Sequence, residues 1–285
     1  MPLLTLSSGL RLGFEHYGDL NGTPAFYFHG WPSSRLQGEL MHEVGQRLGL
    51  HFVAMDRPGI GNSDFQPGRR LLDWPVLIAE LADHLGWPRF HVFGVSGGGP
   101  YALVIAHSLP ERVLSTSVVC GAPPLRELGT QDLFIMYRLI LALRRKAPWL
   151  LSPLFKLGAF MSTLPPDRLP MSLALKVLSA EDRAVLMHPV TGRIVGEGYR
   201  ESVRNGVPSL QADGDIYTSD WGLPLKDIRV PVHFWHGKAD HNIPWTYAQK
   251  IAAQIPGSIT HWTETDGHYS MAISRVEEIV RTAVG

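Results

Sequence analysis

The chain has 285 residues, 45% of them hydrophobic and 18% charged, with 26 Lys and Arg against 26 Asp and Glu. That composition excludes a disordered or collagen-like chain, and a chain of this length buries roughly three quarters of its unfolded surface, enough for a core without disulfides or a structural metal. Zero net charge with no basic stripe argues against a nucleic-acid binder.

In chain order, Met1 to Gly9 carries neither a basic region nor a long apolar stretch, so no secretory leader is expected. Leu10 to Tyr17 alternates like a strand, and Gly18 to Gly22 reads as a turn. Ala25 to Phe28 and His51 to Met55 are short apolar runs, with helical spacing from Leu36 to Leu48 between them. Strand, helix, strand with no hairpin signal points to a parallel sheet. The rhythm continues with a helix over Leu77 to Leu85, a strand over Arg89 to Phe93, a helix over Gly98 to Leu109 and a strand over Val113 to Cys120.

From Pro123 to Asn205 no run reads as a strand. Helices are expected at Leu133 to Leu143, within Leu151 to Leu164 (broken), and at Ser172 to Leu178. The run Arg144-Arg145-Lys146 reads as a solvated helix surface. Ser179-Ala180-Glu181-Asp182 resembles a capping box, with Asp182 a shorter stand-in for Glu. The strand–helix rhythm then returns: a strand at Val230 to Trp235, a helix led by Pro244 up to Ile255, a strand at Ser258 to Trp262 and a terminal helix from Met271 to Val284. The fold class is therefore α/β, with a core of residues 1–123 and 211–285 and a helical insertion over 124–210.

Cys120, the only cysteine, allows no internal disulfide and no cysteine-based metal cluster, and its apolar surroundings mark a packed core thiol. No run approaches 18 uninterrupted apolar residues. A soluble, cytoplasmic protein with no membrane insertion is expected.

The chemistry is concentrated at sharp turns. Gly94-Val95-Ser96-Gly97-Gly98 lies between a strand and a helix, the context in which a G-x-S-x-G turn presents a nucleophile. Gly94 and Gly98 remove side chains that would collide as the chain doubles back. Serine needs a base. His268, in a loop between the last strand and the terminal helix, falls at the carboxyl edge of the sheet, where ligand sites of such sheets lie. Asp240 follows another strand at the same edge and is the expected orienting acid. Asp266, Asp213, Asp215 and Asp220 are weaker alternatives, and His241 is a weaker base. The backbone N–H groups of Gly97 and Trp31 are the expected oxyanion donors, with His29 and Gly30 supporting the loop His29-Gly30-Trp31-Pro32.

These residues together resemble the α/β-hydrolase fold superfamily, in particular its serine hydrolases with a helical cap. The resemblance rests on His29-Gly30-Trp31-Pro32, Asp56 to Ser63, the turn at Ser96, and His236-Gly237-Lys238-Ala239-Asp240 with Gly267-His268. It implies an eight-stranded, mostly parallel sheet with a first antiparallel strand, a lid over Ser96 from Pro123 to about Gly206, and a brace of Asp56 and Arg57 beneath the site. A serine at 96 departs from the carboxylate that epoxide hydrolases and haloalkane dehalogenases carry there.

The resulting expectation is a serine hydrolase cleaving a small to medium ester or lactone through an acyl-enzyme, with no metal and no organic cofactor. A carbon–carbon or amide bond hydrolase of the same fold, or a low-turnover small-molecule receptor, stays open. The lid is rich in Leu, Met and Phe (Phe134, Met136, Leu150, Leu151, Phe155, Phe160, Met161, Met171) for packing and an apolar pocket. Tyr137, Arg138, Tyr199 and Arg200 are candidates to orient a polar substrate end. The expected partner is a small-molecule substrate, not nucleic acid, bound by a monomer or homodimer.

Overall fold

A computed structural model describes residues 2–285; residue 1 of the expected first core segment lies outside the described residues. Among these, eight strands form one sheet: β1 (Leu3–Thr5), β2 (Arg11–Gly18), β3 (Thr23–Phe28), β4 (Leu50–Met55), β5 (Phe90–Val95), β6 (Val113–Val119), β7 (Val232–Gly237) and β8 (Ile259–Thr263). Their order is β1-β2-β4-β3-β5-β6-β7-β8. β2 pairs antiparallel with β1 and β4, and every other pair is parallel. The strand running against the rest is thus the second, not the first. β1 is too short to show a period in the sequence.

β5 and β7 are buried at every position, as expected of apolar runs at the centre of a sheet covered on both faces. One face packs through Phe26, Val92 and Phe234 on the helices Trp74–His84, Gly99–Ser108 and Trp245–Ala252. The other packs through Phe52, Phe93 and Trp235, with the helices His42–Leu48 and Val276–Val284 over it. Cys120 lies buried in this second layer.

Between β6 and β7 the described residues form helices and loops only, among them Ile135–Lys146, Leu151–Met161, Ala180–Met187, Pro189–Val203 and Pro208–Thr218. Leu151–Met161 is unbroken, contrary to the reading of the sequence. Pro153 sits in its first turn, where a missing N–H has no helical acceptor to lose. The terminal helix is instead split at Arg275 into His268–Ser274 and Val276–Val284. The expected border at 210/211 falls inside Pro208–Thr218. This helical segment is joined to the core by a buried charge: Arg35 meets Asp56 at 2.7 Å and Glu201 of Pro189–Val203 at 2.8 Å. No helix among the described residues is long and apolar enough to cross a membrane.

Candidate active site

Ser96 follows β5 directly and opens the turn Ser96–Gly98 that leads into Gly99–Ser108. Its φ is +52°, a conformation non-glycine residues avoid, held here because strand and helix fix the chain on either side. Gly98 makes the turn feasible, since a methyl group there would strike the Phe28 carbonyl of β3.

Ser96 Oγ lies 2.9 Å from His268 Nε2, and His268 Nδ1 lies 2.8 Å from Asp240 Oδ2. All three residues are buried. Asp240 hangs in the turn after β7, where its Oδ1 accepts the N–H groups of Asn242 and Ile243 at 2.8 and 2.9 Å. His236, at the end of β7, brings its Nε2 to 3.0 Å from Asp240 Oδ2 and 2.8 Å from the Ile243 carbonyl. Burial alone would raise the Asp240 pKa; His268 and His236 outweigh it and hold the carboxyl well below the usual range. Burial alone would lower His268, but Asp240 holds the imidazole above its ordinary value. Nδ1–H therefore faces the carboxylate, and Nε2 faces the Ser96 hydroxyl as an acceptor.

His268 is not in a loop, as its sequence context suggests, but is the first residue of the helix His268–Ser274. Asp182 is the reason. Its Oδ2 accepts the His268 N–H at 2.9 Å, and its Oδ1 accepts the N–H groups of Tyr269 and Ser270 at 2.9 and 2.8 Å. The Ser270 hydroxyl donates to the same oxygen at 3.0 Å and accepts the Gly267 N–H at 2.7 Å. Only half of the expected local capping box forms: Ser179 Oγ accepts the Asp182 N–H at 3.1 Å, while the carboxylate turns to the His268 helix. A side chain at Gly267 would run into that carboxylate.

The loop His29-Gly30-Trp31 lies against the Ser96 turn. A methyl group on Gly30 would sit 3.5 Å from Ser96 Cβ, and one on Gly97 would sit 3.1 Å from Trp31 N, so the Trp31 and Gly97 backbones meet beside the serine. Arg57 donates to the His29 and Gly30 carbonyls at 2.7 and 2.8 Å, and Gln37 Oε1 accepts the Gly30 N–H at 2.7 Å. Burial and the nearby Arg57 push the His29 pKa well down, so this ring is neutral. The Tyr217 hydroxyl donates to the Gly97 carbonyl at 3.0 Å, and the Trp31 indole donates to the Leu210 carbonyl at 3.2 Å.

The alternative acids lie elsewhere. Asp213 is buried beneath the loop, paired with Arg57 at 2.9 Å, with Arg69, and with the Tyr101 hydroxyl at 2.8 Å. Asp266 pairs with Arg275 at 3.0 Å, Asp215 pairs with Arg144, and Asp220 is exposed. His241 is exposed, 3.3 Å from the Val177 carbonyl.

A cavity of about 550 Å³ opens above Ser96 and His268. Phe134, Met136, Tyr137, Phe155 and Tyr199 of the helical segment line it. Arg138 is exposed instead, and Arg200 is spent on the Ser162 carbonyl and hydroxyl at 3.0 and 3.1 Å. Phe160 faces solvent. Cys120, His236 and Asp240 bring ligand-type atoms within 4.8 Å of one another. Asp240 has no lone pair to spare for an ion, because both its oxygens already serve two partners each.

Residues 26–272 match the family model described as alpha/beta hydrolase fold. This chain belongs to the α/β-hydrolase fold family. A bifunctional esterase/perhydrolase of Acinetobacter calcoaceticus is 26% identical over 276 residues, covering 90% of this chain and 88% of that protein. A non-heme chloroperoxidase of Streptomyces lividans is 30% identical over 127 residues, which span 44% of this α/β-hydrolase chain and under half, 46%, of the chloroperoxidase. A solved hydrolase from Pseudomonas aeruginosa PA01 superposes with a TM-score of 0.72 at 18% identity, covering 100% of this chain and 98% of that one, a likeness of fold.

The parts that Asp182, His236 and Tyr217 take in the site escape the sequence reading. His236 stands within the quoted His236 to Asp240 stretch, four residues before the acid, and that spacing after a strand is the signal that it bears on Asp240. Asp182 and Tyr217 act across the fold, and the only local signal at Asp182, the cap with Ser179, points elsewhere.

Proposed function

We propose that this protein is a serine hydrolase cleaving a small to medium, mostly apolar carboxylic ester or lactone through an acyl-enzyme. Ser96 is the nucleophile, His268 the general base and then acid, and Asp240 the residue that fixes the imidazole tautomer and stabilises imidazolium. The Trp31 and Gly97 N–H groups receive the oxyanion, with His29 and Gly30 shaping the loop. Residues 124–210 act as a cap over the core of 1–123 and 211–285.

In acylation, Ser96 Oγ bonds to the carbonyl carbon as its proton passes to His268 Nε2. The tetrahedral intermediate collapses, the bond to the alcohol oxygen breaks, and that oxygen leaves with the proton from Nε2. Water then repeats the sequence on the acyl-enzyme. These steps need neither metal nor organic cofactor. The observation that carries the reading is the continuous relay Asp240–His268–Ser96, at 2.8 and 2.9 Å, on the floor of an apolar cavity. The esterase/perhydrolase relative, matched nearly end to end, agrees with it.

The test is hydrolysis of p-nitrophenyl acetate by the protein and by Ser96→Ala. The variant is expected to lose at least about 10⁴-fold in kcat while remaining folded. Equal turnover by the two proteins would remove Ser96 from the mechanism.

A further inference from the structure

We infer that the two halves of the substrate enter different hollows, and that the substrate is a neutral, open-chain ester of a short acyl group with a larger apolar alcohol. This rests on the serine-hydrolase reading above. Ser96 stands between two spaces. The larger, about 550 Å³, is lined by both Ser96 and His268. The smaller, about 40 Å³, is lined by Ser96 and Gly97 but not by His268. Leu125, Leu133, Leu141 and Ile243 wall only the smaller one.

Proton transfer decides which half goes where. The bond that breaks in acylation joins the carbonyl carbon to the alcohol oxygen, and that oxygen must take its proton from His268 Nε2 within hydrogen-bond reach. The alcohol therefore departs on the His268 side, in the larger hollow. The carbonyl oxygen turns to Trp31 and Gly97. The remaining substituent, the acyl chain, is directed into the smaller hollow beside Gly97. That space is less than a tenth of the larger one, so the shorter half of the substrate belongs in it. A short acyl chain suits it, and a longer one meets the three leucines.

Charge narrows the class further. Neither hollow has an Asp, Glu, Lys or Arg among its described lining residues. A carboxylate or ammonium on the substrate would be desolvated there without a partner. Ser33, Gln37 and Asn242 supply the larger hollow with neutral polar contacts, suited to a hydroxyl or carbonyl on the alcohol half. A lactone ring ties its two halves together and cannot send them into separate spaces.

Octyl acetate and methyl nonanoate test this directly, because they are isomers with the long chain on opposite sides of the ester. Acid release by the wild-type protein is expected to give octyl acetate a kcat/KM at least about tenfold higher. Leu141→Ala, and the milder Leu133→Val should the first fail to fold, are expected to raise the hexanoate-to-acetate ratio for p-nitrophenyl esters about fivefold. Preference for methyl nonanoate, an unchanged ratio in the folded variants, or rejection of both isomers while p-nitrophenyl acetate is cleaved would each overturn the partition and leave the serine mechanism standing. No Ser96-dependent cleavage of p-nitrophenyl acetate would overturn the mechanism, and the partition with it.

Discussion

Asp182 accepts the backbone N–H of His268 at 2.9 Å. The same carboxylate takes the next two N–H groups, so a side chain from the helical segment holds the turn that presents the imidazole to Ser96. Those N–H groups begin a helix and have no acceptor within it, and a negative charge suits that position.

Asp182→Asn keeps one acceptor oxygen and loses the charge. The expected result is a fall in kcat of about 10- to 100-fold with a smaller change in KM, since the binding cavity is intact and the base is misplaced. Asp182 also helps raise the His268 pKa, so the acidic limb of the pH–rate profile should move to lower pH. Steady-state kinetics across pH read both effects. Unchanged kcat with an unmoved limb would reduce Asp182 to a fastening of the fold.

The relay itself predicts a pH dependence. A base works unprotonated, and His268 is held above its ordinary 6.5, so wild-type kcat/KM should rise with a midpoint above that value. Asp240→Asn removes the main cause; the midpoint should fall, and the plateau rate should drop about 10⁴-fold. The pairing also feeds stability. Asp240, with its pKa depressed, contributes above the ordinary carboxylate range and loses that contribution as pH falls through its native value. His268, with its pKa raised, contributes below 6.5 and loses it as pH climbs through the native value. A limb that stays in place in Asp240→Asn would count against this coupling.

Asp213→Asn should damage the fold more than the chemistry. It leaves Arg57 and Arg69 buried without their counter-charge, a change that costs about 3–5 kcal/mol. Arg57 also grips the His29 and Gly30 carbonyls, so some activity should go with it. Urea denaturation gives the first quantity, and an unshifted midpoint would contradict the arrangement described.

Gly98→Ala drives a methyl group into the Phe28 carbonyl, a backbone atom of the adjacent strand that cannot swing aside. A loss of about 1–3 kcal/mol is expected, with reduced soluble yield. Thermal melts of any protein recovered would measure it; wild-type stability would mean that the strand yields.

What the sequence reveals is what neighbouring residues decide. The apolar runs of β5 and β7, and the glycines around Ser96, are local and show their purpose in a few letters. Asp182 is different. Ser179, three residues before it, offers a plausible local partner, whereas the true one lies 86 residues away. The helical segment misleads for another reason. Which face of its helices meets the cavity depends on how they dock, so Tyr137 and Tyr199 line it while Arg138 and Arg200 do not.

The buried Arg35, shared between Asp56 and Glu201, moors the helical segment a second time, one helix after Asp182. With two such moorings, swinging the whole segment outward like a hinged flap would strand charges at both. The cavity meets solvent at a rim where Ile135, Met136 and Val177 both line it and are exposed.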